Sequence, residues 1–323
     1  MSSSYKRINY TLRIAKNIER KMMCEAFRRL SEIRLVETYR YIGFGSLYFS
    51  DFVLFHKILN ITALHSIEKD ESAKKRFVFN RPFGYINLHF GESTKVLPQL
   101  DWHGEPSIVW LDYDGQLTQD TLADIQTVCT SASPGSFLIV SFNVHPGVEI
   151  DDQHKTRLTR LKEQVGEEKV PADVSEKDLS GWGTAKAIRR VVDNEIQETL
   201  TYRNGGLRKG LKMKYRQIFN FHYEDGVKML TVGGILYDQG QEPKIDSCAF
   251  NRLDFIKSAE EAYKIETPYL TNREIRSIDS ALCDSDTSDE LQKLIEEYGI
   301  PENDITIYSK IYRYLPTFAE TDF

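Results

Sequence analysis

Five strand-like segments alternate with helix-like segments between residues 36 and 143, and this alternation constrains the fold more than any other feature of the sequence. Two of the later strand-like segments, "SIVWLDYDG" and "SFLIVSFNV", are largely apolar. Such continuity is typical of strands that are buried on both faces. Strands that alternate with helices form a parallel sheet covered by helices on both sides. The sequence therefore predicts an α/β fold with a Rossmann-like, mostly parallel sheet.

The segments on either side of this alternation complete the prediction. Two β-rich runs in "KYRQIFNFHYEDGVKMLTVGGILYD" are joined by Asp225-Gly226, a turn signal that predicts a closing antiparallel hairpin. Residues 10–34 have apolar positions at helical spacing. Residues 150–183 are charged and interrupted by proline and glycine, which indicates a loop insertion or a mobile lid. We expect three parts: a basic N-terminal helical segment (1–35), a sheet domain (36–245, with the insertion 150–183) and a mainly helical C-terminal extension (246–323).

The composition is that of a globular protein. The 323 residues are 41% hydrophobic and 28% charged, with a net charge of −6. The four cysteines lie far apart without CxxC spacing, which argues against a zinc ribbon or a disulfide scaffold. No apolar run approaches the roughly 20 residues that span a bilayer, and the first residues lack the apolar stretch of a signal peptide. We expect a cytoplasmic protein without membrane contact.

Positive charge is concentrated in two stretches. Residues 1–40 contain ten lysines and arginines against four glutamates, and residues 202–216 contain six without an acid. Such stretches can contact the phosphates of a nucleic acid or an acidic protein surface. Alternatively, they form the solvated face of a helix and a solvated connection before the hairpin. The sequence leaves both interpretations open.

Two glycines and several polar residues stand at the predicted carboxyl ends of successive strands. They are Gly43, Gly45, Glu68, Glu92, Asp112, Asp114 and Asn143. In sheets of this kind, ligands bind outside the carboxyl ends of the strands. These residues are therefore expected to share one site.

The first strand ends in "YRYIGFGSLYF", which contains Gly43 and Gly45. A dinucleotide-binding turn needs a third small residue for close packing of helix and strand, and Tyr48 is too bulky for that place. S-adenosylmethionine has no pyrophosphate and needs only room for its amino acid, an acid for the ribose and a slot for adenine. Taken alone, the two glycines fit either cofactor.

The stretch "FGESTKVLPQL", followed by "IVWLDYDG", resembles class I S-adenosylmethionine-dependent methyltransferases. It is most similar to the O-methyltransferase branch that includes the catechol and caffeoyl-CoA enzymes, over about residues 36–240. The resemblance implies methyl transfer from S-adenosylmethionine to an unidentified oxygen acceptor. An alternative is a catalytically altered subunit that keeps the fold within a larger assembly, possibly one associated with nucleic acid. A nicotinamide-dependent oxidoreductase is disfavoured by Tyr48 and by the closing hairpin.

The resemblance also implies roles for individual positions. Gly43 and Gly45 would line the amino-acid end of the cofactor, with Ser46 nearby. Glu68 would bind the ribose, and the next residue, Lys69, would also belong to the cofactor site. Glu92 and Ser93 would lie beside the adenine. Asp112 would lie near the methyl group, and Tyr113 would position the cofactor or the substrate.

Two positions depart from the family pattern. Tyr41 stands where the family usually has an acid, so another group must face the ammonium of the cofactor. Phe142 stands where the catechol-type branch has the second of its magnesium-binding acids. Asp112 and Asn143 alone make a poor site for a hard cation, so we expect no metal.

Catalysis requires a group that removes the proton of the acceptor. The candidates are Asp112, Asp114 and His145, and Asn143 could hydrogen-bond the substrate. Each has a structural alternative, since such residues also cap loops and hold turns. A homo-oligomer or a complex with another subunit remains open.

Overall fold

The computed structural model describes residues 13–145, 155–257, 260–282 and 287–316. Its strands are β1 (Arg40–Gly43), β2 (Ala63–Glu68), β3 (Ile86–Phe90), β4 (Ser107–Asp112), β5 (Ser136–Asn143), β6 (Met213–Glu224), β7 (Lys228–Asp238) and β8 (Tyr263–Ile265). Its α-helices are α1 (Ile14–Arg28), α2 (Ser50–Leu59), α3 (Lys74–Asn80), α4 (Ser93–Val96), α5 (Gln119–Ser131), α6 (Arg157–Val165), α7 (Trp182–Arg203), α8 (Glu242–Ser247), α9 (Asn272–Leu282), α10 (Thr287–Tyr298) and α11 (Glu302–Ile311).

All eight strands belong to one sheet, in the order β3-β2-β1-β4-β5-β7-β6-β8. Strands β1 to β5 are parallel, and β7 pairs antiparallel with both β5 and β6. The chain reverses direction in the sheet at the hairpin between β6 and β7, where Gly226 has a positive φ of 86°. The predicted mostly parallel sheet and its closing hairpin are both confirmed.

Helices cover both faces of the sheet, as the sequence predicts. Strand β4 shows why its sequence is continuously apolar: Ile108 and Trp110 point into one core, and Val109 and Leu111 into the other. The first core includes apolar residues of α1 and α2, and the second those of α5 and α7. Both faces of the central strands are therefore shielded from water.

Helix α1 is more deeply buried than a solvated basic helix would be. Its apolar residues Ile18, Met22 and Phe27 are fully buried, and so are three charged neighbours, Lys16, Glu19 and Arg20. The charge of this part of the segment is directed into the molecule. Other basic residues of the segment, including Lys6 and Arg7, lie outside the described residues.

The insertion contains a helix that the sequence does not indicate. Thr156 caps α6, and the carboxylate of Glu176 accepts hydrogen bonds from the N–H groups of Arg157 and Leu158 at 3.1 and 2.9 Å. Leu161 and Val165 are buried in the second core. The proline and glycine that suggest a loop lie beyond this helix, so the expected loop begins later than predicted. Residues 150–154 of the predicted insertion lie outside the described residues.

The C-terminal region continues the sheet and also forms a small core of its own. Strand β8 pairs parallel with β6, although its three residues give no strand signal in the sequence. Helices α9 and α11 enclose a separate core that includes Ile278, Ile305 and Tyr308. None of the helices in the described part of the chain is both long enough and apolar enough to cross a membrane.

Candidate functional site

A cavity of about 790 Å³ opens at the carboxyl ends of β1, β2 and β4. Its volume falls within the range of small-molecule sites. Acids dominate its wall, among them Asp51, Glu68, Glu92, Asp112, Asp114 and Asp124. Within the described ranges, its basic lining residues are Arg20 and Lys69. The cavity therefore suits a ligand that carries positive charge.

The turn after β1 forms one part of the cavity wall. The N–H of Gly45 donates to Ser66 Oγ at 3.0 Å and to Glu68 Oε1 at 3.1 Å. A Cβ at Gly45 would lie 2.5 Å from both Phe49 and Ser66 Oγ, so no larger residue fits without displacing them. Gly45 and Ser46 line the cavity. Gly43 is required for packing, since its Cβ would lie 2.5 Å from the hydroxyl of Tyr41.

Tyr41 stands where the family usually has an acid, and its side chain contacts a nearby acid, Asp51. Tyr41 is fully buried, and its hydroxyl donates a hydrogen bond to Asp51 Oδ2. Asp51, in the first turn of α2, lines the cavity. Burial raises the pKa of Asp51, and the charge of Arg20 opposes that increase. A carboxyl group is therefore present at the cavity wall. It belongs to Asp51, ten residues after the position at which the family usually has its acid.

Glu68 lies at the end of β2 and is only 5% exposed. Its Oε1 accepts hydrogen bonds from Gly45 and from Ser66 Oγ, the latter at 2.6 Å. Burial raises the pKa of Glu68 to about 8, although these hydrogen bonds favour the ionised form. The group can therefore change its protonation state near neutral pH.

The far side of the cavity is formed by residues after β3 and by α5. Lys69 and Glu92 form an ion pair at 3.1 Å at the exposed rim. Ser93 Oγ and the Tyr113 hydroxyl both donate to Asp124 Oδ2, at 2.5 and 2.6 Å. The other oxygen of Asp124, Oδ1, is buried and has no hydrogen-bond partner in the described part of the chain. This oxygen is therefore available to accept a hydrogen bond from a ligand.

Asp112 interacts with helix α1. The Lys16 ammonium lies 2.6 Å from Asp112 Oδ1, 2.8 Å from Glu19 Oε2 and 3.1 Å from the Tyr223 hydroxyl. It also lies 4.3 Å from the centre of the Trp110 ring. Burial lowers the pKa of Lys16, but Asp112 and Glu19 together outweigh this effect and raise it. A permanent cation therefore neutralises Asp112.

These side chains do not fit a divalent metal ion. One oxygen of Asp112 is paired with the Lys16 nitrogen, and the ring of Phe142 stacks on Tyr113 with centres 5.6 Å apart. A hard cation needs several oxygen ligands with at least one or two carboxylates. Among the described residues, no group of three or more histidine, cysteine or acidic side chains is placed to hold a metal.

Asn143 and His145 lie apart from the other predicted site residues. They line a second cavity of only about 20 Å³, together with Gln116 and Arg157. Asn143 Oδ1 accepts a hydrogen bond from the His145 N–H at 2.8 Å, which is the expected role of a turn-holding amide. Asp112, Tyr113 and Asp114 instead line the larger cavity with Glu68, Glu92 and Ser93.

Three residues of the site have no clear signal in the sequence: Arg20, Asp51 and Asp124. Lys16 and Arg20 are one helical turn apart on α1, but the sequence does not show that this face points towards the sheet. Asp51 is visible as a residue at a helix start. Asp124 looks like any polar position of an amphipathic helix.

The mostly parallel sheet, closed by an antiparallel hairpin, has a cavity at the carboxyl ends of its strands. The sequence profile of the family described as "Putative O-methyltransferase" matches residues 8–323. The chain belongs to this family. Since the match begins within the N-terminal segment and extends to residue 323, it includes α1 and the C-terminal region as well as the sheet.

Several solved structures are similar to this chain. The cofactor-bound protein Rv0187 from MTB is 15% identical, with a TM-score of 0.37, over 72% of this chain and 84% of that one. TomG, the O-methyltransferase from Streptomyces achromogenes in complex with SAM, is 17% identical, with a TM-score of 0.34, over 66% and 79%. An O-methyltransferase from Bacillus cereus in complex with SAH is 15% identical, with a TM-score of 0.31, over 66% and 80%. No curated protein matches the sequence. The family assignment rests on the profile match.

Proposed function

We propose that this protein transfers a methyl group from S-adenosylmethionine to an oxygen acceptor. The observation that carries the proposal is the position of Glu68: a buried acid at the end of β2, within a cavity of 790 Å³, in a chain of this family. The acidic wall favours a cofactor that carries a sulfonium and an ammonium group.

The lining residues match the parts of that cofactor. Glu68 would accept hydrogen bonds from the ribose hydroxyls. Asp51 would face the ammonium group in place of the acid that Tyr41 replaces. Asp124 Oδ1, which is buried without a partner in the described ranges, would accept from the amino group of adenine beside Glu92 and Ser93.

When bound, the cofactor supplies an activated methyl group. The protein has to orient the acceptor hydroxyl and take its proton. The Lys16 ammonium lies 2.6 Å from Asp112 Oδ1, so this oxygen is already engaged and is not free to face the acceptor. We assign Asp112 to orienting the acceptor and Asp114, two residues further into the solvent-facing loop, to receiving the proton.

A small acceptor is favoured over a nucleic acid or an acidic protein, because part of the basic charge is used internally. In the N-terminal segment, Lys16 pairs with Asp112 and Arg34 with Glu105. Within residues 202–216, Lys214 pairs with Glu242 and Arg216 with Asp246. These pairs reduce the positive charge that each stretch can offer to a macromolecule.

Formation of S-adenosylhomocysteine with a panel of hydroxyl-bearing acceptors, in buffer containing EDTA, tests the proposal. We expect turnover that EDTA does not affect, and a loss of about a hundredfold or more in kcat for Asp114→Asn, the effect typical of a general base. The matched variant Asp289→Asn, on exposed helix α10, should keep the wild-type rate. Turnover that stops with EDTA and returns with Mg²⁺ would contradict the conclusion that the side chains around Asp112 do not fit a divalent metal ion. An unchanged rate for Asp114→Asn would remove it as the base.

A further inference from the structure

The loop between α7 and β6 presents basic and apolar side chains side by side. Every residue from 205 to 212, which we call the basic loop, is exposed, and Leu211 is exposed to 58%. The loop contains two leucines, three basic residues and no acid: Leu207, Leu211, Arg208, Lys209 and Lys212. Single exposed leucines are common, but two of them beside three cations in so short a segment form an amphipathic surface.

Hydrogen bonds at the base of the basic loop hold it in one arrangement. The side-chain amide of Asn204 donates to the Met213 carbonyl at 2.8 Å, and its Oδ1 accepts from the Met213 N–H at 2.7 Å. The Lys212 carbonyl also accepts from the N–H of Gln239 at 3.0 Å. A loop that is already ordered loses little conformational entropy when it binds a partner.

The positive charge of the basic loop is available to an external partner. Residues 202–216 contain six basic residues, and the three outside the loop are engaged within the protein: Arg203, Lys214 and Arg216. The acids Glu242 and Asp246 are neutralised by two of these contacts. Within the described ranges, the three basic side chains of the loop itself form no ion pair.

The basic loop lies at the end of the sheet opposite to the large cavity. It leads into Met213, which pairs with Asp238 at the end of β7, and Leu236 of β7 pairs with Ser136, the first residue of β5. These residues mark the amino ends of the parallel strands, whereas the acid-lined cavity opens at the carboxyl ends. An anionic surface is therefore attracted to the loop and repelled by the cavity rim.

The composition of the basic loop favours lipid among anionic partners. Lysine is depleted in protein–protein interfaces, and leucine is under-represented among their dominant contacts. Proteins that bind single-stranded nucleic acid stack the bases on aromatic side chains, and residues 205–212 include no aromatic residue. Leucines next to lysine and arginine are instead typical of segments that lie in the interface of an anionic membrane.

We propose that the basic loop docks the protein on an anionic lipid surface. Leu207 and Leu211 enter the boundary between headgroups and acyl chains, and the three basic side chains bind lipid phosphates. Tyr202, which is 92% exposed at the end of α7, fits the headgroup level, where tyrosine is enriched. The expectation of no membrane contact rests on the lack of a spanning segment, which such docking does not need. The inference is independent of the proposed function.

Co-sedimentation of the full chain with vesicles tests the inference. One vesicle population contains equal parts of phosphatidylserine and phosphatidylcholine, and the other contains phosphatidylcholine alone. We expect binding to the anionic vesicles that weakens as salt is added, and no detectable binding to the neutral vesicles.

Two variants separate the contributions of charge and apolar contact. The charge variant, Arg208→Gln with Lys209→Gln and Lys212→Gln, should bind the anionic vesicles about a hundredfold more weakly, because each basic side chain near such a surface contributes about fivefold. The leucine variant, Leu207→Ser with Leu211→Ser, should weaken binding about tenfold or more without any change of charge. All five side chains are exposed, so both variants should keep the wild-type circular dichroism.

The matched control removes the same charge from the exposed side chains of α3, by Lys74→Gln, Lys75→Gln and Arg76→Gln, and should keep the wild-type affinity. An equal loss in this control, equal binding to both vesicle populations, or no binding to either would overturn the inference. A leucine variant that binds like the wild type would also overturn it, since the loop would then recognise charge alone. Tighter binding of polyglutamate or oligothymidylate than of anionic vesicles, lost in the charge variant, would assign the loop to an acidic protein or a nucleic acid instead of lipid.

Discussion

At the scale of single residues, the proposed role of Glu68 would link binding of the ribose to loss of a proton from its carboxyl group. Its carboxyl group already accepts two hydrogen bonds at Oε1, from Gly45 and from Ser66. Burial nevertheless raises its pKa to about 8, so the neutral form predominates at pH 7 in the unliganded protein. The ionised form is the better acceptor for two ribose hydroxyls. Binding of a ribose should therefore release a proton below pH 8.

This coupling predicts a pH dependence for 5′-methylthioadenosine, which keeps the adenine and ribose but lacks the amino-acid group. Below the Glu68 pKa of about 8, each lower pH unit should reduce affinity by up to about tenfold, because a proton must leave before binding. We expect affinity to increase by about tenfold or more from pH 6.5 to 8.5, measured by calorimetry.

The variant Glu68→Gln should bind more weakly and without this slope. Glu71→Gln, an exposed acid three residues away, is the matched control and should keep the wild-type profile. The same slope in Glu68→Gln would show that another group titrates, and a flat wild-type profile would remove the assignment of the ribose to Glu68.

The sequence predicts some of these residues better than others. Glu68 and Asp112 can be located because each ends a recognisable strand, and strand ends meet at one edge of a parallel sheet. Asp51 cannot be predicted as the replacement for the acid at Tyr41, because the link between them is a hydrogen bond across the β1–α2 turn. Asn143 also ends a strand, yet it faces the smaller cavity. Strand β5 extends two residues past Ser141, the register partner of Asp112, so Asn143 lies beyond the end of β4.

At the scale of elements, helix α1 supplies the charge that balances Asp112. Lys16 is surrounded by Asp112, Glu19, Tyr223 and the face of Trp110. Burial raises the pKa of Glu19, and the Lys16 charge opposes that increase. Buried charges are tolerated when each has a partner, and removal of one partner is costly. The pair therefore fixes α1 against the sheet.

Lys16→Met should lower the free energy of unfolding by about 3–5 kcal/mol, because it leaves two acids without their counter-charge. Urea denaturation measures this loss. Adding Glu19→Gln should restore part of it, since the second variant removes one of the uncompensated acids. Lys57→Met, at an exposed position of α2, is the control and should change stability little. A Lys16→Met protein as stable as Lys57→Met would contradict this role.

Elements with a strong local pattern are predictable, and those stabilised by distant contacts are not. The central strands and the hairpin at Asp225-Gly226 follow from apolar runs and turn chemistry. Strand β8 has three residues, too few for a local strand signal, and it pairs with the edge of β6. Helix α6 lies in a charged stretch and depends on capping by Glu176, eighteen residues after Leu158. In the sequence, Lys16 cannot be distinguished from a surface lysine, because its partners Asp112 and Tyr223 are distant along the chain.

At the scale of the whole molecule, both ends of the described chain close around the sheet. Tyr314 donates to a carboxylate oxygen of Glu25, and Lys21 Nζ donates to the Leu315 carbonyl at 3.1 Å. The Arg29 guanidinium donates to the Ala249 carbonyl at 2.9 Å. Helix α1 thus lies between the sheet and the C-terminal region. Its residues Lys16 and Arg20 face the sheet, and the C-terminal region packs on its outer side. The site depends on parts of the chain that are far apart in sequence.

We propose that this assembled cavity binds S-adenosylmethionine. The proposal can be tested by calorimetric titration of the full chain with S-adenosylmethionine, with NAD⁺ and NADP⁺ as comparison ligands. We expect one molecule of S-adenosylmethionine to bind per chain, neither nicotinamide cofactor to bind, and Glu68→Ala to weaken binding by about tenfold or more. Heat from NAD⁺ or NADP⁺ with none from S-adenosylmethionine, or an affinity that Glu68→Ala leaves unchanged, would contradict the account.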